Sequence, residues 1–280
     1  MELMTQNLSP NDTFLIDMLS SYPDQTKRTY VHCLNQFQDY LTQSGGDLQS
    51  LTRSDVQAWL YHLQYDRRLA ATTISKHFHS VKTWCKVTGQ SNATEALRVP
   101  KRPRFDELPV KSLDRNERHQ LVRDVERSGN IRNMAIVATL LYTGLRISEL
   151  ASLNVPDLTL GERAGSVRVI GKGNKERIVP VPPEARFWLL KYLNQRTEGP
   201  VFLSNRKKRM ANISIQEMLA KYHIHAHMLR HTYCRLLVAA GVDLVTVATL
   251  AGHADINVTR RYAKPNQEEL ESAISKAFSQ

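Results

Sequence analysis

Hydrophobic residues recur every three or four positions through the first third of the chain, which is the period of amphipathic helices. Residue types that cap helix N-termini stand before the apolar segments. These candidate caps are Asn11-Asp12, Asp24, Ser54-Asp55 and Thr72-Thr73. The pattern predicts a bundle of four or five helices over residues 1–98.

Cationic side chains occupy the helix faces opposite these apolar stripes. A solvated face is the usual reason for such a pattern, and contact with a nucleic-acid backbone is the alternative. The candidates for DNA contact on these faces are Lys27, Arg28, Lys76, His77 and Lys82.

A basic, proline-containing segment follows at residues 99–110. Prolines in this segment prevent one helix from running through it, so we place a domain boundary here. Its cations could follow a phosphate backbone or could simply be solvated in a hinge. They are Lys101, Arg102 and Arg104.

The remaining chain combines helical periods with two short alternating segments. Residues 166–170 and 177–181 alternate like strands, and the glycine-rich turn 171–176 between them presents Lys172. Helical periods dominate the rest of residues 111–266. The sequence therefore predicts a mainly α domain with a small β-sheet, an α+β class.

A further helix is predicted over residues 267–280, after Pro265 breaks the chain. Leu270, Ile274 and Phe278 are spaced four apart and form an apolar stripe. Such a stripe packs on its own domain or docks on a neighbouring copy, and the sequence leaves both alternatives open.

Charge favours a polyanionic partner. The formal net charge is +11 and the pI is about 9.7. Residues 105–280 carry most of the excess, with 26 Lys and Arg against 18 Asp and Glu. Charge alone does not say which polyanion is bound.

The cysteines and the N-terminal sequence indicate the cellular compartment of the protein. Cys33, Cys85 and Cys234 are widely spaced and odd in number, which predicts buried, reduced thiols. No spacing of Cys and His matches a zinc site, so we expect neither metal nor cofactor. The N-terminus lacks a secretory pattern and no apolar run approaches bilayer length, so we expect a soluble, cytoplasmic protein.

Arg146 follows the Thr143-Gly144 turn and opens a new helical segment. Backbone N–H groups at a helix N-terminus already favour an anion. Glu149 comes one turn later and is placed to hold the Arg146 side chain. An exposed Arg–Glu pair of little energetic value is the simpler interpretation of the same spacing.

Residues 227–262 contain the densest set of candidate chemical groups. His227 and Arg230 are three apart and lie on one helix face. Two later glycines end short helices, so only short helices and tight turns connect this face to His253 and Tyr262. This arrangement can gather cationic donors and a tyrosine oxygen around one phosphate. Residues 247–261 taken alone are also typical of a helix-turn-helix DNA reader.

Four motifs in this order resemble the tyrosine recombinase (phage integrase) family, and its Xer-like members most. They are TGLRISEL, GKGNKERIVPV, HMLRHTYCRLL and LAGHADINVTRRY. The resemblance covers essentially the whole chain and also suggests a transposon-encoded resolvase-integrase. It implies a SAM-like core-binding helical bundle (1–98), a basic linker (99–110), a catalytic domain (111–266) and a C-terminal helix exchanged between protomers (267–280).

The resemblance also implies a mechanism. Arg146 and Arg230 would clamp the phosphoryl oxygens, with His253 as a further donor and Glu149 behind them. Tyr262 would attack as nucleophile and leave a 3′-phosphotyrosyl DNA. The proton-handling residues would be His227 as base and Lys172 as acid. Neither ATP nor a metal is needed for such chemistry.

The implied partners are double-stranded DNA with inverted half-sites and further copies of the chain, two on one site and four in the synaptic complex. A type IB topoisomerase would use nearly the same residues but would relax supercoils as a monomer. A non-catalytic DNA-binding regulator is the other alternative, and it would not need Tyr262. Neither the DNA target nor the biological role (integration, excision or resolution) follows from the residues.

Overall fold

A computed structural model describes residues 17, 19–101, 110–171, 175–263, 271, 274, 275 and 278. The chain divides into two compact units, residues 1–104 and residues 105–280. Each unit has its own hydrophobic core.

Three α-helices make up most of the described part of the first unit. They are α1 (Asp24–Gln43), α2 (Arg53–Tyr61) and α3 (Ala71–Val87). Thr52 and Asp55 form a reciprocal capping box that starts α2. Phe37 and Trp59 are buried at the centre of the bundle with their rings 5.5 Å apart. The predicted first helix after Asn11-Asp12 lies largely outside the described residues.

The prediction that His77 lies on the solvent face of this bundle is wrong. His77 is three residues after Ile74 and four before Val81, so it shares their apolar stripe on α3. It is 5% exposed and meets the ring of Trp59 edge-on at 5.7 Å. Burial, ahead of the charge of Arg67, lowers the pKa of His77 to about 4. A neutral ring therefore occupies the core.

The other candidates in the first unit remain at the surface. Arg28, Lys76 and Lys82 are exposed, as is Lys101 in the following segment. Lys27 is only 16% exposed at its side chain and pairs with Asp24 at 3.6 Å. Arg102 and Arg104 lie outside the described residues.

The second unit is mainly helical. Its helices are α4 (Arg115–Arg127), α5 (Ile131–Thr143), α6 (Ile147–Ser152), α7 (Pro183–Leu193), α8 (Asn212–Ala220), α9 (Ala226–Ala239), α10 (Leu244–Ala251) and α11 (Asn257–Arg260), followed by a 3₁₀ turn at Arg261–Ala263. Asp114 caps α4 through a capping box with Glu117. The apolar helix α5 lies buried in the core.

A three-stranded antiparallel sheet accompanies these helices. Its strands are β1 (Leu158–Leu160), β2 (Gly165–Ile170) and β3 (Glu176–Pro180), in the order β1-β2-β3. Val167 faces Val179 across β2 and β3, and both are buried. The sequence predicted β2 and β3 but not β1, which has three residues and is too short to show alternation. The predicted fold class, mainly α with a small sheet, is confirmed.

All three cysteines are buried and form no disulfide, as the sequence predicts. Within the described ranges, no helix is long and apolar enough to cross a membrane. The C-terminal helix predicted over 267–280 lies largely outside the described residues. Of its stripe, Ile274 and Phe278 are described, and they are 62% and 83% exposed.

The turn between α5 and α6 requires glycine at position 144. Gly144 has φ +63°, and a Cβ atom there would lie 2.2 Å from Cδ1 of the Tyr233 ring. We therefore expect Gly144→Ala to lower the free energy of unfolding by about 3 kcal/mol, from left-handed strain and ring displacement together. Chemical denaturation measures this loss.

Gly129→Ala is the matched control for this prediction. Gly129 has φ +67°, but nothing lies within 4 Å of its added Cβ. Its loss should stay near the backbone cost of about 1–2 kcal/mol. Equal losses in the two variants would contradict the proposed contact with Tyr233.

Candidate active site

The last turn of α10 gathers three arginines. Arg177 Nε donates to the carbonyl oxygen of Leu250 (3.1 Å), Arg230 Nη2 to that of Ala251 (2.5 Å) and Arg146 Nη2 to that of Gly252 (2.6 Å). The last carbonyls of a helix have no partner within it and carry the negative end of its dipole. Three consecutive carbonyls therefore hold three cations from different parts of the chain.

Gly252 allows this close approach. It ends α10 in the left-handed conformation at φ +66°, and a Cβ atom there would lie 2.7 Å from Nη1 of Arg177. Any other residue would be strained in its backbone and would displace the guanidinium. The Gly252 in the sequence motif is thus needed for packing as well as for the turn.

Glu149 is the counterion of this cluster. Its side chain is 6% exposed and receives Nη1 of Arg146 at 2.8 Å and both Nη atoms of Arg177 at 2.9 and 2.8 Å. The Arg146 backbone N–H donates to the same carboxylate at 2.7 Å. Burial alone would raise the pKa of Glu149, but the hydrogen bonds and charges of Arg177 and Arg146 outweigh it and lower that pKa. The carboxylate therefore stays ionised.

Arg146 and Arg230 differ in exposure. The Arg146 side chain, at the N-terminus of α6, is 35% exposed. Arg230 is 4% exposed on α9, and its Nη1 donates to the carbonyl oxygen of Gly144 at 2.7 Å. Burial, ahead of the charge of Arg146, lowers the pKa of Arg230 to about 10, so it keeps its charge at pH 7.

His253 and Tyr262 lie beside these arginines. Their rings stack with centroids 6.4 Å apart and planes 11° from parallel. The hydroxyl of the fully buried Thr259 lies 2.8 Å from Nδ1 of His253, which fixes the ring and leaves Nε2 to other partners. Burial, then the charges of Arg230 and Arg146, lowers the pKa of His253 to about 4.

Tyr262 is partly buried in the 3₁₀ turn after α11. It packs against an apolar cluster on α9 and α10 that includes Cys234 and Val247. Burial, ahead of Cys234, raises the pKa of Tyr262 well above its usual range. The phenol is therefore fully protonated near neutral pH.

His227 lies at the exposed start of α9. Partial desolvation of its ring, then the charge of Arg230, lowers its pKa. It is one helical turn before His231, and the two ring centroids are 6.3 Å apart. Nδ1 of His231, not of His227, lies within hydrogen-bond distance of the Tyr262 hydroxyl.

Lys172 lies outside the described residues, as do 173 and 174. The adjacent ends of the hairpin, Gly171 and Lys175, line a cleft of about 780 Å³. This cleft also exposes Arg146, Arg177 and His253. Among the described residues, no group of three or more His, Cys, Asp or Glu is arranged to hold a metal ion.

Sequence reasoning missed Arg177 and His231. Arg177 stands two positions from Val179 on β3, so the alternation of the strand places this arginine on the inward face. His231 stands four positions after His227, so helical spacing places it on the same face. Both signals were available, but the partners of these side chains come from distant parts of the chain.

Comparison with known proteins assigns the family. The family model "Phage integrase family" matches residues 111–269, and "Phage integrase, N-terminal SAM-like domain" matches residues 17–90. Tyrosine recombinase XerC of Pediococcus pentosaceus is 30% identical, with 92% of this chain and 93% of that protein covered. Tyrosine recombinase XerD of Oceanobacillus iheyensis is also 30% identical, with 90% and 89% covered.

Solved structures share the fold. A XerH site-specific recombinase bound to palindromic difH substrate aligns with a TM-score of 0.71 at 18% identity, with 97% of this chain and 90% of that chain covered. The Tn1549 transposon integrase in complex with circular intermediate DNA aligns with a TM-score of 0.72 at 18% identity, with 94% and 97% covered.

The chain belongs to the phage integrase family of tyrosine recombinases. The chain is therefore a site-specific recombinase that uses the tyrosine mechanism. The resemblance stated from the four motifs is confirmed, and so is the two-part fold of a SAM-like domain followed by a catalytic domain.

The buried ion pairs of Glu149 predict how stability depends on pH. Glu149→Gln should lower the free energy of unfolding at pH 7 by about 3 kcal/mol, because two arginines lose their shared counterion. The folded-state pKa of Glu149 is lowered, so this stabilisation is present above the unfolded value of about 4.3 and is lost as the pH falls through the folded value. Denaturation from pH 7 to pH 3 should show the difference between the two proteins shrinking below about pH 4.

Glu162→Gln controls for the change in charge. Glu162 is exposed, so its variant should stay within about 0.5 kcal/mol of the wild type. A deficit of Glu149→Gln that stayed constant down to pH 3 would exclude the carboxylate charge as its cause.

Proposed function

We propose that this chain cleaves and rejoins double-stranded DNA through a 3′-phosphotyrosyl intermediate at Tyr262. The observation that carries the proposal is the clustering of Arg146, Arg230, His253 and Tyr262 around the end of α10. These groups come from separate parts of the chain, and a structural role alone does not require a partly exposed arginine at such a cluster.

The arginines would bind the non-bridging oxygens of the scissile phosphate. Arg146 is exposed to the cleft, and Glu149 and the Gly252 carbonyl hold it in place. Arg230 is fixed by two carbonyls before any ligand arrives. Donors that are already oriented contribute most where negative charge develops in the transition state. His253 would add a hydrogen bond through Nε2.

Tyr262 would attack the phosphorus, and its proton must leave as the bond forms. Family resemblance assigns His227 as the base that handles this proton. Lys172 would protonate the departing 5′-oxygen. Support for Lys172 comes from the resemblance and from the position of Gly171 and Lys175 at the cleft. The phosphotyrosyl ester conserves the energy of the broken bond, so religation needs no ATP.

The first unit and the basic segment after it would hold the duplex. Their exposed cations Arg28, Lys76, Lys82 and Lys101 suit contact with phosphates, as Arg102 and Arg104 would. Lys27, already paired with Asp24, would contribute less, and the buried His77 would contribute nothing directly. The domain division we propose is 1–98, 99–110, 111–266 and 267–280. The site of action would be cytoplasmic DNA.

Recombination, rather than supercoil relaxation, is the activity that the relatives favour, since recombinases match nine-tenths of the chain at 30% identity. A regulator without catalysis would not need Tyr262 close to Arg230 and His253. Integration, excision and the resolution of dimers or cointegrates share this chemistry.

Covalent trapping tests the nucleophile. The probe is a library of nicked duplexes with randomised sequence on one side of the nick. After cleavage near the nick, the short released strand diffuses away, so the covalent adduct cannot be religated. Wild-type protein should retain labelled DNA under denaturing conditions, and Tyr262→Phe should retain none. Sequencing of the trapped duplexes would give the recognition site.

Tyr222→Phe is the matched control for the loss of one phenol oxygen in the same unit. It should form the adduct like the wild type. An adduct from Tyr262→Phe would assign the nucleophile elsewhere, and a wild type that forms none would contradict strand cleavage.

We also propose that pairs of protomers bind inverted half-sites and join as a tetramer through residues 267–280. The exposed, helical Ile274 and Phe278 support this docking, because large apolar side chains four apart gain stability when a groove covers them.

Replacement of both Ile274 and Phe278 by Asp should leave binding to one half-site of the trapped duplex unchanged. With the full site, the same variant should reduce the tetramer yield at least tenfold, as measured by sedimentation. Glu271→Gln, on the same segment, should behave like the wild type. Undiminished tetramer formation by the Asp variant would contradict the exchange of this segment.

A further inference from the structure

His231 contacts the hydroxyl group of the proposed nucleophile, Tyr262. Its Nδ1 lies 2.5 Å from the Tyr262 hydroxyl oxygen, and the two ring centroids are 5.7 Å apart. The 2.5 Å separation lies within hydrogen-bond distance. His227, which the family resemblance assigns as base, lies one helical turn earlier on α9.

The fold builds this contact from two elements. His231 is partly buried near the middle of α9, and the 3₁₀ turn Arg261–Ala263 packs on that helix. The Tyr262 ring is held between His231 and the parallel ring of His253, and Cys234 stands close to its hydroxyl. The apolar cluster beneath leaves few alternative proton acceptors for a phenol in this position.

The ionisable groups that face His231 within the described part of the chain are cationic or neutral. His225, His227 and Arg230 come from its own helix, Arg261 from the 3₁₀ turn, and His253 from the end of α10. Burial first, then His227 and Arg261, lowers the pKa of His231 to about 4. Its ring is therefore neutral near pH 7, and a neutral imidazole is the form that can accept a proton.

We propose that His231 is the base that takes the Tyr262 proton during DNA cleavage. The proposal rests on the proposed role of Tyr262 as nucleophile. The phenol O–H bond breaks as its proton moves to Nδ1, and the oxygen forms its bond to phosphorus. The bond from phosphorus to the 5′-oxygen breaks, and that oxygen takes a proton from a separate acid, proposed as Lys172. In religation the imidazolium returns its proton to the phenol oxygen.

The proposal requires one tautomer of His231. Nδ1 accepts the phenol hydrogen, so the resting proton of the neutral ring belongs on Nε2. The amide oxygen of an asparagine can accept a hydrogen bond near the place of Nδ1, but it cannot take up a proton. His231→Asn therefore separates holding Tyr262 from deprotonating it.

The experiment measures single-turnover cleavage of the nicked duplex trapped by the wild type. His231→Asn should bind this duplex normally and form the Tyr262 adduct at least 100-fold more slowly, since general-base catalysis contributes roughly 10²–10⁴-fold. His223→Asn is the matched control, because His223 is exposed and its φ of +57° suits asparagine. His227→Asn, made in parallel, tests the base assigned by the resemblance.

A fluorinated tyrosine at position 262 distinguishes a base from a positioning group. Its phenol is more acidic, so it depends less on an acceptor for its proton. In the His231→Asn background, this fluorinated tyrosine should raise the cleavage rate at least tenfold. It should not restore the rate of a variant that is slow because Tyr262 is misplaced.

Three outcomes would overturn the proposal. They are cleavage by His231→Asn at the wild-type rate, a slow His231→Asn that fluorination does not rescue, and fluorine rescue confined to His227→Asn. Failure of the proposed function would look different, because the wild type itself would then form no adduct at Tyr262.

Discussion

The arrangement of the site depends on one buried carboxylate. Glu149 receives hydrogen bonds from the side chains of Arg146 and Arg177 and from the Arg146 backbone. Two guanidinium groups repel each other in a poorly solvated place, and the anion that they share offsets this repulsion. The carboxylate thereby joins the start of α6 to strand β3, and both are joined to the end of α10 through their arginines.

The end of α10 supplies the second half of this arrangement. Helices usually leave their last carbonyls to water or to a cap. Here the carbonyl oxygens of Leu250, Ala251 and Gly252 each accept from a different arginine. The end of α10 thus fixes the spacing of the three arginines in the free protein. The conformational cost of ordering these long side chains falls on folding rather than on binding.

Local chemistry made much of this predictable from the sequence. The cap at Asp114, the turn at Gly144 and the Arg146–Glu149 spacing concern residues a few positions apart, where helix geometry decides the contacts. Arg177 and His231 were missed because their partners are far along the chain, and strand alternation or helical spacing gives only the face of a residue. The prediction of an exposed His77 was wrong for a different reason. His77 shares the apolar stripe of α3, and its ring stays neutral when buried.

Because the described histidines are neutral, the arginines and Glu149 set the charge of the described part of the site. Burial lowers the pKa values of His231 and His253 to about 4, so the described cluster of Arg146, Arg177, Arg230 and Glu149 has a net charge of about two. A phosphodiester carries one negative charge, whereas the pentacoordinate phosphorus formed by attack carries two on its equatorial oxygens. The described cluster would therefore stabilise the doubly charged pentacoordinate phosphorus more than the intact diester. This difference would favour reaction over tight binding of the substrate.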